Sequence, residues 1–384
     1  MVKIINPFIT SGYVSGEYFC DRDRETKELL RLITNGNNVA LISTRRMGKT
    51  GLILHCFDNK TIKKDYNTFF VDIYATRCLD DFVMSLGKVI LERLKPLGRK
   101  ALESFVDTVK SLSAGISFDV SGNPSLNFQA GRAYKSERTL EEIFKYIENA
   151  GKPCIVAIDE FQQIADYPEK NVEAILRTHV QHCSNSRFIF SGSRRHVIGN
   201  MFLSPSRPFY QSVSMLDLEP IAIEKYTEFA LYHFNKRAKK IPSEFVEEIY
   251  ERFDGITWYV QKMLNAVFTL TEPGCECKAG IVDLAQDNIV ESYNYNYQET
   301  IYRLPDKQKN LLVAIAKEGK AKAVTGGRFI SKYSLTGSSS VQSALKGLLE
   351  KDFVTSQQGV YYIYDRFFAI WLRKNINLSN FGQL

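Results

Sequence analysis

Apolar positions along the chain follow two rhythms. Four segments, "NNVALIS", "NTFFVDIYA", "KPCIVAIDEFQQI" and "SRFIFSGS", hold short unbroken apolar runs, the first introduced by the turn formers Asn35-Gly36-Asn37-Asn38. Runs of this length, rich in β-branched and aromatic residues, are the pattern of strands buried on both faces. Other segments repeat at helical spacing. "KTGLILHCF" places Leu52, Ile53 and Cys56 on one side, and "LDDFVMSLGKVILERLK" does the same with Phe82, Leu86, Val89 and Ile90. From residue 221 to about 290 only the helical rhythm is left, in "EKYTEFALYHFNKRAKK", "PSEFVEEIYERFDG" and "WYVQKMLNAVFTL". Strands alternating with helices predict an α/β domain with a central parallel sheet over residues 1–220, followed by a helical domain over 221–295.

A third pattern begins near residue 296. "PDKQKNLLVAIAKEG" predicts one helix and "GGRFISKYSL" a short second. "SSSVQSALKGLLEKDFV" predicts a third, with Val341, Leu345, Leu348 and Leu349 inward and Ser340, Gln342, Ser343 and Lys346 outward, and "VTSQQGVYYIYD" two strands about Gln-Gly. That order is a winged helix, over 296–384. Within the first domain, "GISFDVSGNPSLNFQAG" alternates on both sides of Ser-Gly-Asn-Pro and predicts an inserted β-hairpin near 114–132. The hairpin is expected to pack on the core, with an exposed edge for another chain as the alternative.

Composition narrows the class. A hydrophobic fraction of 44% with 24% charged residues is that of a folded globular chain. No apolar run approaches a membrane span, and the start lacks the basic-then-apolar order of a signal peptide, so a cytoplasmic protein with no membrane partner is expected. Seven scattered cysteines suit reduced thiols rather than a disulfide framework. Cys275 and Cys277 form a C-x-C with no second pair at ligand spacing, which reads as a surface loop rather than a metal site. The net charge of +7 is unevenly placed: residues 301–384 hold 13 Lys and Arg against 5 Asp and Glu.

The chemistry sits at the ends of the predicted strands. "STRRMGKT" follows the first strand and opens the first helix, the context of a phosphate-binding loop G-x-x-x-x-G-K-[ST]. Ser43 stands at the first glycine position, where the turn begins and a small residue is tolerated, whereas Gly48 is kept where the backbone must approach phosphate. Lys49 would reach the β and γ oxygens of a nucleoside triphosphate and Thr50 would ligate Mg²⁺. Asp159-Glu160 closes the strand Ile155-Val156-Ala157-Ile158, and in a parallel sheet it emerges at the same edge. There Asp159 would hold Mg²⁺ through its water shell and Glu160 would orient the attacking water; the alternative is a solvated helix cap. A further strand ends at Ser191-Gly192-Ser193, so Ser191 or Ser193 would bridge the γ-phosphate and water. Arg194 or Arg195 after it would neutralise transition-state charge or be an ordinary surface residue.

Together these motifs resemble the P-loop ATPases found predominantly in archaea and also in many bacteria. That family is related to the STAND branch of the AAA+-like NTPases and, more distantly, to origin-recognition ATPases. The resemblance covers nearly the whole chain: "NPF", "FCDRDRE" with Phe19, Asp21, Arg22 and Glu25, "RRMGKT", "AIDEFQ", "FSGSRRHVIGNMF", "RPFYQSVSMLDLEPI" and "YYIYDRFFAIWLRK". It implies a P-loop NTPase fold with a helical lid, and ATP and Mg²⁺ as ligands. It implies that Phe8 to Arg22, with Phe19 and Arg22, borders the adenine. Arg45 and Arg46 would flank the phosphates, in a loop formed by Ser43, Met47, Gly48, Lys49, Thr50 and Gly51. Two departures accompany Ser43: Thr257 in "FDGITWYVQ" occupies a site usually held by proline, and Asp365-Arg366 stands where Asp-Pro is common. Arg177 or Arg207 would be donated to a neighbouring subunit's phosphate, or would form a surface ion pair.

Two functions follow as expectations. In one, ATP binding and slow hydrolysis reposition a winged helix that touches duplex DNA through Ser340, Gln342, Ser343 and Lys346. In the other, nucleotide is a nearly static element of a protein that binds another protein or itself.

Overall fold

The computed structural model describes residues 5–94, 116–118, 124–126 and 136–375. These fall into two compact units, one of residues 7–229 with 254–261, the other of residues 5–6, 230–253 and 262–375.

The first unit is built on five parallel strands, β1 (Val39–Ile42), β2 (Asn67–Asp72), β5 (Cys154–Asp159), β6 (Ser186–Gly192) and β7 (Ser214–Asp217), in the spatial order β2-β5-β6-β1-β7. All four residues of β1 and all six of β5 are buried, as an uninterrupted apolar run requires when both faces are covered. Alternate residues serve opposite sides. Val39, Leu41, Ile155, Ala157 and Ile189 meet Leu29, Leu32 and Ile33 of helix α1 (Asp23–Thr34) and Leu52, Ile53 and Cys56 of helix α2 (Lys49–Phe57). Ala40, Ile42, Val156, Ile158, Phe188 and Phe190 meet Phe82, Leu86, Ile143 and the aromatic group Phe161, Phe202 and Phe209. In that group Phe161 lies 4.5 Å from Phe190, ring centre to ring centre, and Phe209 lies 5.3 Å from Phe190.

Register decides where the chemistry emerges. Leu41 pairs with Ser191, Ile42 with Gly192 and Ile158 with Phe190. The residues that follow these strands, Ser43, Glu160 and Ser193, therefore leave the sheet along one edge, the carboxyl edge where ligands of open α/β sheets bind. The inserted hairpin is present as β3 (Ile116–Phe118) antiparallel to β4 (Pro124–Leu126); the packing of its apolar side chains lies outside the described residues.

In the second unit, helices Ser243–Arg252 and Ile281–Ser292 precede the expected winged helix. Its helices are Asp306–Glu318, Gly327–Lys332 and Ser338–Glu350, and its sheet has the order β8 (Ala321–Lys322), β10 (Val360–Ile363), β9 (Val354–Gln357). Gln358 and Gly359 both have positive φ, 50° and 77°, which turns β9 into β10 with the twist a two-residue hairpin needs. Leu311 to Ala316 are buried without interruption, so Asp306–Glu318 is the central helix. Helices Asn294–Tyr302 and Arg366–Asn375 complete this region through Tyr297, Phe368 and Trp371, and the Trp371 indole donates to Asn294 Oδ1 at 2.8 Å. No helix among the described residues is long and apolar enough to cross a membrane.

Candidate functional site

A cleft of about 320 Å³ opens at the carboxyl edge of the sheet in the first unit. One wall is residues 9–14 with Phe19 and Arg22, the floor is Arg45 to Gly51, and Asp159 and Glu160 close one end.

Gly48 sets the shape of the loop. Its φ of 92° is left-handed, a conformation open to glycine, and it leads directly into α2. Behind it Lys49 is almost fully buried, its Nζ donating to Ser43 Oγ at 3.1 Å and to the Thr44 carbonyl at 3.5 Å. Ser43 thus does more than fit the turn: it accepts the lysine while its own hydroxyl donates to the Thr44 carbonyl at 2.7 Å. Burial pulls the Lys49 ammonium below its ordinary range, and the nearby Glu160 and Asp159 pull it back up.

The acids face the loop. Thr50 donates to Asp159 Oδ2 at 2.7 Å, and the Glu160 backbone N–H donates to Asp159 Oδ1 at 3.0 Å. Glu160 takes a left-handed backbone, φ 57°, at the start of the 3-10 turn Phe161–Asp166. Its Oε2 accepts from Ser193 Oγ at 2.8 Å and from the Gln162 amide. Arg45 Nε donates to the same Ser193 oxygen at 3.2 Å, so β6, the loop and Glu160 are joined through one hydroxyl. Asp72, opposite Asp159 on β2, has its carboxyl pushed up by burial and by the charges of Asp159 and Glu160.

Thr50 and Asp159 offer a hydroxyl and a carboxylate oxygen side by side, the hard donors that Mg²⁺ takes. Among the described residues no group of three or more His, Cys, Asp or Glu forms a metal cage. The donor set therefore fits an ion completed by phosphate oxygens and water.

The remaining expected residues separate clearly. Arg22 is buried with φ 73° and donates to Glu25 at 2.7 Å and to the Met47 carbonyl at 3.1 Å, bracing the loop from below. Phe19 lies along Gly51 and stacks on His55 at 4.1 Å, and His55 accepts or donates to the Tyr13 hydroxyl at 3.0 Å. Arg46 has its guanidinium 4.2 Å from the centre of the Trp258 ring and hydrogen-bonded to the Tyr259 hydroxyl. Ser191 is fully buried on the Ile189 side of β6, its hydroxyl without a partner among the described residues. Ser193 is the serine that reaches Glu160. Arg194 is not among the residues lining the cleft; it pairs with Asp166 at 3.0 Å, while Arg195 pairs with Asp217 and Arg207 with Glu173. Arg177, on the same helix as Glu173, is half-buried with its Nε unpartnered among the described residues.

One participant carried no role in the sequence reading, and another, Trp258, reads there with Tyr259 as a core aromatic sooner than a base-stacker. Gln162 was visible only as part of "AIDEFQ". Trp258 forms part of the cleft wall, anchored by its indole to the Thr10 carbonyl at 3.0 Å, while Tyr259 is buried. In place of a proline, Thr257 donates its hydroxyl to the Met47 carbonyl at 3.1 Å.

Known proteins share the family and the fold. Residues 19–263 match the family described as ATPase domain predominantly from Archaea, and residues 295–374 match a winged helix domain family. An ATP-binding protein of Methanocaldococcus jannaschii is 26% identical over 169 residues, 40% of this chain and 44% of that protein. The chain spans about half the length of the curated relatives it matches. A Walker-type ATPase of Pyrococcus abyssi shares the fold with a TM-score of 0.63 at 18% identity, over 96% of this chain and 99% of the other. The ORC1 protein of Aeropyrum pernix, solved in complex with DNA, does so with a TM-score of 0.52 at 12% identity, over 95% of each chain.

Proposed function

Since the chain belongs to the family of ATPase domains found predominantly in Archaea, we propose that it binds ATP with Mg²⁺ in this cleft, hydrolyses it slowly, and passes its nucleotide state to the winged helix. The observation that carries the reading is the meeting of Lys49, Thr50, Asp159 and Glu160 at one sheet edge, with Thr50 and Asp159 in direct hydrogen bond.

In this reading Lys49 and the backbone N–H groups of the loop bind the β and γ phosphates, and Thr50 and Asp159 hold the metal site. When bound, Mg²⁺ would supply charge neutralisation across the phosphate oxygens. Glu160 orients water toward the γ-phosphate and accepts its proton, and Arg45, tied to Glu160 through Ser193, faces the developing charge. The Ser193 and Gln162 donors hold Glu160 Oε2, which leaves Oε1 for the water. Phe19 and Trp258 offer apolar surface for the base.

The output surface is the winged helix. Contact with duplex DNA is supported by the excess of cations after residue 300 and by the fold shared with a protein solved on DNA. Contact with a protein is supported by helix Ser338–Glu350, whose single cation, Lys346, lies 3.8 Å from Glu350.

The test is ATP turnover of the wild type against Glu160→Gln, with and without duplex DNA. The expected result is that both proteins bind ATP only with magnesium and that the variant loses turnover by at least about a hundredfold, the lower end of the range for a general base. Binding without turnover in the wild type would leave nucleotide as a static element and favour the protein-binding alternative.

A further inference from the structure

Glu160 is a non-glycine residue in the left-handed region, and such a conformation persists where its surroundings fix it. Gln162 is part of what fixes it. Its side chain is 1% exposed and its amide Nε2 donates to Glu160 Oε2, whereas its carbonyl Oε1 is buried with no partner among the described residues. A buried carbonyl left unpaired destabilises a fold, and an apolar side chain of the same length would fill the space at less cost. Stability therefore does not account for an amide at this position.

The amide is also held firmly. A Cβ added to Gly192 would come within 2.4 Å of Gln162 Oε1 and 2.5 Å of Ile198 Cγ1, so the carboxamide lies directly on the bare backbone of β6. The neighbouring ring of Phe161 is locked against Phe190, Phe202 and Phe209. With Ser193 donating from the other strand, two neutral donors converge on one oxygen of Glu160.

We propose that Gln162, seated on Gly192, is a positioning residue for ATP hydrolysis: by fixing Oε2 of Glu160 together with Ser193, it presents Oε1 to the attacking water. The inference rests on the hydrolytic reading above.

Gln162→Met keeps length and approximate volume and removes the donor. Steady-state turnover and binding of a fluorescent ATP analogue with magnesium are measured for the variant and the wild type. Expected are an analogue Kd within about twofold of wild type and a kcat lower by roughly ten- to a hundredfold, the size of effect that a small misplacement of a reacting group produces. Gln162→Glu, which brings a like charge beside Glu160, falls further. Against a Glu160→Gln background, Gln162→Met costs nothing more in single-turnover rate, because a residue acting only through Glu160 has nothing left to position. Equal kcat in wild type and Gln162→Met, or the same fold-loss in both backgrounds, overturns the proposal while the hydrolytic reading stands. A wild type without turnover overturns both. If Gln162→Met shows no cooperative melting transition and so has not folded, Gln162→Leu takes its place: it too lacks the donor, and a normal kcat there overturns the assignment.

Discussion

Lys49 shows what a buried cation costs the protein that carries it. The ammonium is nearly buried, and burial holds its proton affinity below the ordinary value despite Glu160 and Asp159 nearby. The unfolded chain therefore binds that proton more tightly than the folded one. Stability from this group is lowest where the lysine is charged in both states, and it rises with pH between the depressed folded pKa and the usual 10.5. A triphosphate bound as proposed would reverse the sign by pairing with the charge. Lys49→Met removes a charge that burial disfavours and is accordingly expected to raise the stability of the nucleotide-free protein. It should also abolish the further rise in Tm that ATP and magnesium give the wild type. Melting curves with and without nucleotide check both halves, and a variant that melts lower and still responds to ATP overturns the role given to Lys49.

Elements place these residues, and helix Thr257–Leu270 does so from far along the chain. Its first turn holds the phosphate loop: Trp258 N–H donates to the Arg46 carbonyl at 3.0 Å, Thr257 to Met47, and the Arg46 guanidinium lies over the Trp258 ring. Phosphate bound in the loop as proposed would compete with the ring for Arg46, so Trp258 is expected to report nucleotide. With Trp371 the only other tryptophan, a Trp371→Phe protein should change its emission on adding ATP with magnesium. No change at saturating ATP would mean that Arg46 keeps its place on the ring. The strands and the loop were legible in the sequence because a strand buried on both faces has to be apolar throughout, and because Gly48, Lys49 and Thr50 work as neighbours in the chain. The choice of Ser193 over Ser191 was not legible, since it depends on how β6 ends against β1. Nor was the part of Gln162, which needs a left-handed turn and a glycine thirty residues on. Trp258 reads simply as apolar until the fold brings it beside Arg46. Helices Asn294–Tyr302 and Arg366–Asn375 lacked a separate signal because their aromatic residues serve a shared cluster rather than a stripe.

Charge is the property that belongs to the whole molecule, and its placement shapes the last prediction. The cations after residue 300 are not gathered on the helix that enters the major groove in other winged helices. Gln342, Ser343 and Lys346 are exposed there and Ser340 is half-buried, but Lys346 is shared with Glu350 in an exposed pair that contributes little. Lys317, Lys320, Lys322 and Arg328 are exposed within twelve residues of one another, from the end of helix Asp306–Glu318 through β8 to the start of helix Gly327–Lys332. Phosphate contacts from this stretch would orient the domain without reading bases. Duplex DNA binding is therefore expected to be weak in sequence preference and steep in salt, with log K falling by about 0.9 per log unit of salt for each phosphate neutralised. Replacing Lys322 and Arg328 together by alanine should reduce that slope by nearly 2 in fluorescence anisotropy titrations, whereas Lys346→Ala should leave it almost unchanged. A slope that drops by about 1 in Lys346→Ala alone would return the contact to helix Ser338–Glu350. Absence of binding at low salt would favour a protein partner for the winged helix, because a local excess of eight positive charges has few stronger electrostatic targets than a phosphate backbone.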